Sequence, residues 1–134
     1  MNRTIWLIGL VLMFFFLNSS AILAQQLPPG VKLQVVKEFP ASLVPGAKSI
    51  KQLLFTLEPG AKLDKFTPPG VHFCNALAGE AKVVLQGKTI IRKAGQHWAE
   101  EKGVPFSIVN EGSVSFVDSF IQIIYKSTIR LKCR

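Results

Sequence analysis

The sequence predicts an all-β chain folded as a sandwich or a closed barrel. Short apolar runs recur between residues 31 and 125, separated by turns that contain Gly and Pro. The runs are rich in β-branched and aromatic residues, which suit a pleated, half-buried surface. No stretch carries the apolar period of a three-turn helix. Many short strands with turn signals between them point to two packed sheets or one closed sheet.

The first element is an address. Residues 1–4 carry Arg3, residues 5–17 are an unbroken apolar run, and small residues follow up to Ala24. A basic start, an apolar middle and a small-residue exit make a secretory signal peptide. Cleavage after Ala24 would leave Gln25 as the new N-terminus, and Ala21 offers a second cleavage position. The run falls short of the roughly 20 apolar residues of a spanning helix, so no membrane span is expected after cleavage. The expected location is secreted or periplasmic.

The rest of the 134 residues suffices for one domain. Hydrophobic residues make up 49% of the chain, enough for a packed core. The net charge is +8, from 16 Lys and Arg against 8 Asp and Glu. These charges are spread along the chain, and the densest group is the tail with Lys126, Arg130, Lys132 and Arg134. A nucleic-acid surface would gather basic residues on one face beside aromatic platforms, and that pattern is missing. The two cysteines are Cys74 and Cys133. Export permits a bridge between them, but one distant pair is weak evidence for a disulfide, and the apolar run around Cys74 favours a buried free thiol.

The organisation expected is a signal at 1–24, an N-terminal arm with a first strand at 25–49, a β-barrel at 50–125 and a basic tail at 126–134. Residues 28–30 (Pro-Pro-Gly) give an extended arm. Residues 31–39 form the first strand, closed by Pro40, and a loop with Pro45 and Gly46 follows. Residues 50–57 form a second strand, ended by Glu58, Pro59 and Gly60. Pro68, Pro69 and Gly70 break the next stretch. Residues 71–78 are apolar and end at Gly79. Residues 80–86 alternate, with Ala81, Val83 and Leu85 on one side, and a tight turn at Gly87 and Lys88 leads into 89–93, so the pair reads as a hairpin. Residues 106–109 and 113–125 supply the last strands.

Two glycine-framed segments have a specific spacing. Gly60 is followed by five residues, then Phe66-Thr67-Pro68, three more, His72, six more and Gly79. Gly95 is followed by five residues, then Glu101-Lys102-Gly103, two more, Phe106, three more and Asn110. This layout resembles the two motifs of the cupin family, in the form of small single-domain cupins, over roughly residues 50–125. The resemblance implies a jelly-roll-like double-stranded β-helix closed as a barrel. Such spaced glycines report turn geometry that few residues tolerate. It also implies a metal site of three His and one Glu, but those four positions hold Phe66, Pro68, His72 and Phe106. Three of these side chains cannot coordinate a metal, and a first-row metal needs three or four N, O or S ligands. His97, Asp64, Glu100 and Glu101 lie off the pattern. No metal or other cofactor is therefore expected.

With that register, the mouth of the barrel gathers Phe66, Pro68, His72 and Phe106, with Trp98 as a further aromatic wall. Apolar walls around a single polar group suit a small apolar or aromatic ligand; equally, the rings could fill the barrel. The expected function is ligand binding by these five residues, without catalysis. His72 would orient the ligand or, with Glu100 or Glu101, move a proton. Two other readings stand beside it. One is a metal-dependent enzyme of dioxygenase or isomerase type with a rearranged site. The other is a non-catalytic envelope protein, dimeric through its sheet edges, with a basic tail on an anionic surface.

Overall fold

A computed structural model describes residues 26–127. The expected signal peptide, Cys133 and the basic tail beyond Ser127 lie outside the described residues. Among the described residues nine strands run in chain order: β1 (Val31–Phe39), β2 (Ala47–Leu57), β3 (Lys62–Phe66), β4 (Val71–Ala78), β5 (Glu80–Leu85), β6 (Lys88–Lys93), β7 (His97–Glu100), β8 (Phe106–Val109) and β9 (Phe116–Tyr125). One short 3-10 turn, Ala41–Leu43, joins β1 to β2. All pairings are antiparallel. The fold class is all-β, as the apolar runs predict.

The strands form two sheets. The five-stranded sheet has the order β1-β2-β9-β4-β7, and the four-stranded sheet β3-β8-β5-β6. Their inner faces make the core. Leu57, Ala76 and Phe116 of the first sheet pack with Ala81, Val83 and Ile108 of the second. Alternation along each strand produces this: in β4, His72, Cys74 and Ala76 are buried while Phe73 and Leu77 are exposed.

The hairpin of β5 and β6 turns at Gln86 and Gly87, one residue earlier than the sequence suggests. Lys88 instead pairs with Leu85. Both turn residues have positive φ, 50° and 75°. That combination matches the right-handed twist of the flanking strands, which is why the two-residue loop settles there. Strands β3 and β7 are additions to the elements the sequence predicts. β3 carries a bulge between Leu63 and Phe66, with Lys65 at φ 50°. A bulge re-aims the side chain that follows it, and here it brings Phe66 opposite Phe106 of β8.

The residues that carry the spacing are structural. Gly79 has φ +70°, and a Cβ there would lie 2.5 Å from the Ser115 carbonyl oxygen. Only glycine fits so close to a neighbouring backbone. Asn110 is fully buried. Its Nδ2 donates to the carbonyls of Leu57 (2.9 Å) and Val114 (2.8 Å), and its Oδ1 accepts from the Gly112 N–H (2.9 Å). Its backbone also receives the Gly60 N–H and donates to the Ala61 carbonyl. One side chain thus ties the ends of β2, β8 and the loop before β9, leaving no polar atom of the amide unmatched.

Candidate functional site

Three strands of the five-stranded sheet project a polar row into the barrel. β4 supplies His72, β7 supplies Trp98 and Glu100, and β9 supplies Asp118, Phe120 and Gln122. His72 is the Cα partner of Glu100 on one side and of Gln122 on the other. Their side chains meet accordingly. His72 Nδ1 lies 3.0 Å from Glu100 Oε2, and the Gln122 amide nitrogen lies 3.0 Å from His72 Nε2. An amide N–H donates, so Nε2 accepts and Nδ1 carries the proton toward Glu100. The second oxygen of Glu100 accepts from Trp98 Nε1 at 3.1 Å. The imidazole stacks on Phe120, with centroids 4.5 Å apart.

This row is closed on itself. Both nitrogens of His72 and both oxygens of Glu100 have protein partners. His72 is 1% exposed. Its ring therefore forms part of the wall, and its nitrogens are committed to the barrel. The sequence offers Glu100 and Glu101 as partners for His72, and the β4–β7 register selects Glu100.

Asp118 and Cys74 are buried beside this row. Burial pushes the Asp118 carboxyl up to about 6, opposed by the hydrogen bond from the Asn75 N–H and raised further by the Glu100 charge. Burial also pushes the Cys74 thiol far above its ordinary range, with the charges of Glu100 and Asp118 adding to it. A buried thiol held protonated is a poor nucleophile. Cys74 and His72 do not form a nucleophile–base couple, because Glu100 and Gln122 take both imidazole nitrogens.

Opposite this row stand the rings of the four-stranded sheet. Phe66 and Phe106 meet edge to face at 5.5 Å, and Phe66 lies 6.3 Å from the His72 ring. Between the two groups is a cavity of about 50 Å³ lined by Phe66, His72, Trp98, Phe106, Phe116 and Phe120, among others. That is room for a few water-sized bodies. The rings leave a small apolar space between the two sheets.

Of the five residues the sequence selects, Phe66, His72, Trp98 and Phe106 reach this cavity. Pro68 is not among its lining residues. It is fully buried in the loop before β4, where its carbonyl accepts the Gly103 N–H at 3.0 Å. Sequence reasoning misses Phe116, Asp118, Phe120 and Gln122. Their spacing of two along the last run is a usable signal, since it places all four on one face of a strand.

The resemblance implies a metal, and the residues do not fit one. Phe66, Pro68 and Phe106 have no donor atoms, and the nitrogens of His72 are engaged. Among the described residues no three His, Cys, Asp or Glu side chains are grouped as a metal ion requires. His97, the other histidine, is exposed on the outer face of β7.

No protein-family model matches the chain, and no curated protein matches it. Solved structures do. A cupin superfamily protein from Desulfitobacterium hafniense superimposes with TM-score 0.57 at 15% identity, over 74% of this chain and 82% of that one. A cupin domain from Bordetella pertussis gives 0.57 at 15% identity, over 76% and 99%. A cupin 2 conserved barrel domain protein from Salinispora arenicola gives 0.56 at 18% identity, over 72% and 77%. The fold is that of a cupin barrel.

Proposed function

We infer that this chain is an exported, metal-free binding protein that takes a small apolar or aromatic ligand inside its barrel. One observation carries the reading: four side chains drawn from β3, β4, β7 and β8, namely Phe66, His72, Trp98 and Phe106, line one apolar cavity. Apolar walls with few polar groups are the ordinary make-up of a small-ligand site. The size of the space restricts the ligand. About 50 Å³ admits a few heavy atoms, and a ring-sized guest requires the partly exposed Phe66 and Phe106 to turn aside. The His72–Glu100 pair has the make-up of an acid–base couple, but Gln122 covers the remaining imidazole nitrogen. It serves the barrel wall better than a proton transfer, which needs a nitrogen within reach of the substrate.

The test is thermal unfolding of the purified protein with toluene, indole and cyclohexanol. A rise in Tm with at least one is expected, because a ligand that binds only the folded state stabilises it. No rise with any would overturn the reading. First-row metal retained in stoichiometric amount after mild chelation would overturn its metal-free part. Export predicts Gln25 as the N-terminus of protein recovered outside the cytoplasm, and an intact Met1 chain confined to the cytoplasm would refute it.

A further inference from the structure

We propose that a second cavity, between β6 and β7, is a carboxylate subsite built on Arg92, and that the ligand of the barrel is an apolar carboxylic acid. The proposal rests on the apolar-ligand reading and names the chemical class of that ligand.

β6 is an edge of the four-stranded sheet, and β7 is an edge of the five-stranded one. Beside them lies a cavity of about 150 Å³ whose lining includes Gln86, Arg92, Trp98, Glu101 and Phe106. It shares Val83, Trp98, Glu100 and Phe106 with the apolar cavity, so the two spaces stand back to back across the same side chains.

Arg92 reaches this place from the inward face of β6, where its Cα partner is Ala81, itself buried. Its guanidinium carbon lies 4.6 Å from the centroid of the Trp98 ring. Stacking on an indole fixes the plane of a guanidinium and leaves its N–H edge free to bind in that plane. Among the described residues no carboxylate lies within ion-pairing distance of it. Its Nε is buried without a hydrogen-bond partner, and it is the one buried side-chain N or O atom so placed among the described residues. A buried charged donor without an acceptor is costly, so the group calls for one. Of the two acids that line the same space, Glu100 has both oxygens occupied by His72 and Trp98, and Glu101 is not within ion-pairing distance of Arg92.

The identity of the orphan atom selects the ligand. Nε is closed off in this conformation, so the Arg92 side chain must swing toward the cavity to offer it; the approach is then side-on, through Nε and one terminal nitrogen, and a carboxylate matches that fork with two parallel hydrogen bonds. The walls beyond it, Leu85, Val104 and Phe106, are apolar. A carboxylate held at Arg92 thus places an alkyl or aryl tail against the Trp98–Phe106 wall that borders the barrel cavity. The exposed Glu101 at the rim disfavours ligands with more negative charge.

The test compares 3-phenylpropionate with its neutral amide by calorimetry, alongside toluene and inorganic phosphate, in the intact protein and in Arg92→Gln. The acid is expected to bind about tenfold tighter than the amide, a charge-assisted preference, and Arg92→Gln is expected to abolish that preference while leaving the toluene-induced rise in Tm. Arg92→Lys, which keeps the charge and loses the fork, serves if Arg92→Gln fails to fold; most of the preference should be lost in it too. Toluene binding with equal affinity for acid and amide would overturn the carboxylate subsite and leave the apolar reading standing. Acid preference without any toluene effect would do the reverse. Phosphate binding as tightly as the acid would overturn the assignment to carboxylates.

Discussion

His72 and Glu100 face each other across β4 and β7 as direct partners in the ladder, with Nδ1 and Oε2 3.0 Å apart. The same carboxylate holds Trp98 Nε1. One side chain of β7 therefore fixes the orientation of two rings in the cavity wall.

Removing that carboxylate exposes the dependence. Glu100→Ala leaves the His72 and Trp98 donors unmatched in a largely buried setting. The expected loss is roughly 3 kcal/mol of unfolding free energy, read from urea denaturation. Glu100→Gln keeps one acceptor and should lose about 1 kcal/mol. Equal losses in the two variants would show that packing, and not hydrogen bonding, governs the position.

Asn110 carries a structural prediction away from the cavity. Asn110→Ala strands the Leu57 and Val114 carbonyls and the Gly112 N–H, and about 3 kcal/mol should be lost. Asn110→Asp fits the same volume and keeps the Gly112 contact, but it replaces two donated hydrogen bonds with repulsion from two carbonyls. It should be at least as damaging in a chemical denaturation series at neutral pH.

Asp118 gives the chain a pH dependence of unusual sign for a carboxylate. Its folded-state value, about 6, stands above the ordinary 3.8. The native state therefore holds a proton that the unfolded state has released, and stability falls as pH rises from about 4 to 6. The difference is worth roughly 3 kcal/mol at most. Glu100, Cys74 and His72 act on the same group, so the comparison of wild type with Asp118→Asn isolates it. Asp118→Asn should flatten that part of the stability profile and gain relative to wild type above pH 6. Parallel profiles for the two proteins would refute the assignment.

Phe106 governs the room inside the barrel. Phe106→Ala removes a ring shared by both cavities and should lower stability by about 3 kcal/mol. In return, toluene should raise the Tm of the variant more than that of the wild type. An equal rise would mean that the ligand does not sit at the ring's position.

Much of this barrel is written locally in the chain. Gly60, Gly79 and Gly95 all have positive φ, and Asn110 has a buried, fully matched amide. Their spacing reports turns that few other residues make, which is why the cupin layout is readable without its ligands. β3 and β7 are harder to read. Lys65 interrupts the alternation of β3 through the bulge, and β7 is four residues long with His97 and Ala99 exposed. At the candidate site, Phe66 and Phe106 follow from motif position. The contacts of His72 with Glu100 and Gln122 join residues 28 and 50 positions apart. They depend on strand register, which no local pattern encodes. Arg92 is invisible in the sequence for the same reason, since its stacking on Trp98 crosses from one sheet to the other.

The order of strands in the five-stranded sheet also sets an order in time. β9 is the last of the nine in sequence, yet it lies in the middle, between β2 and β4. A chain emerging from the ribosome has β1 and β2 on one side and β4 and β7 on the other long before the strand that joins them. The sheet can assemble only once Phe116–Tyr125 is free to pair with both β2 and β4. Long-range pairing of this kind is slow, and until it finishes β2 and β4 each present an open edge to any neighbouring chain.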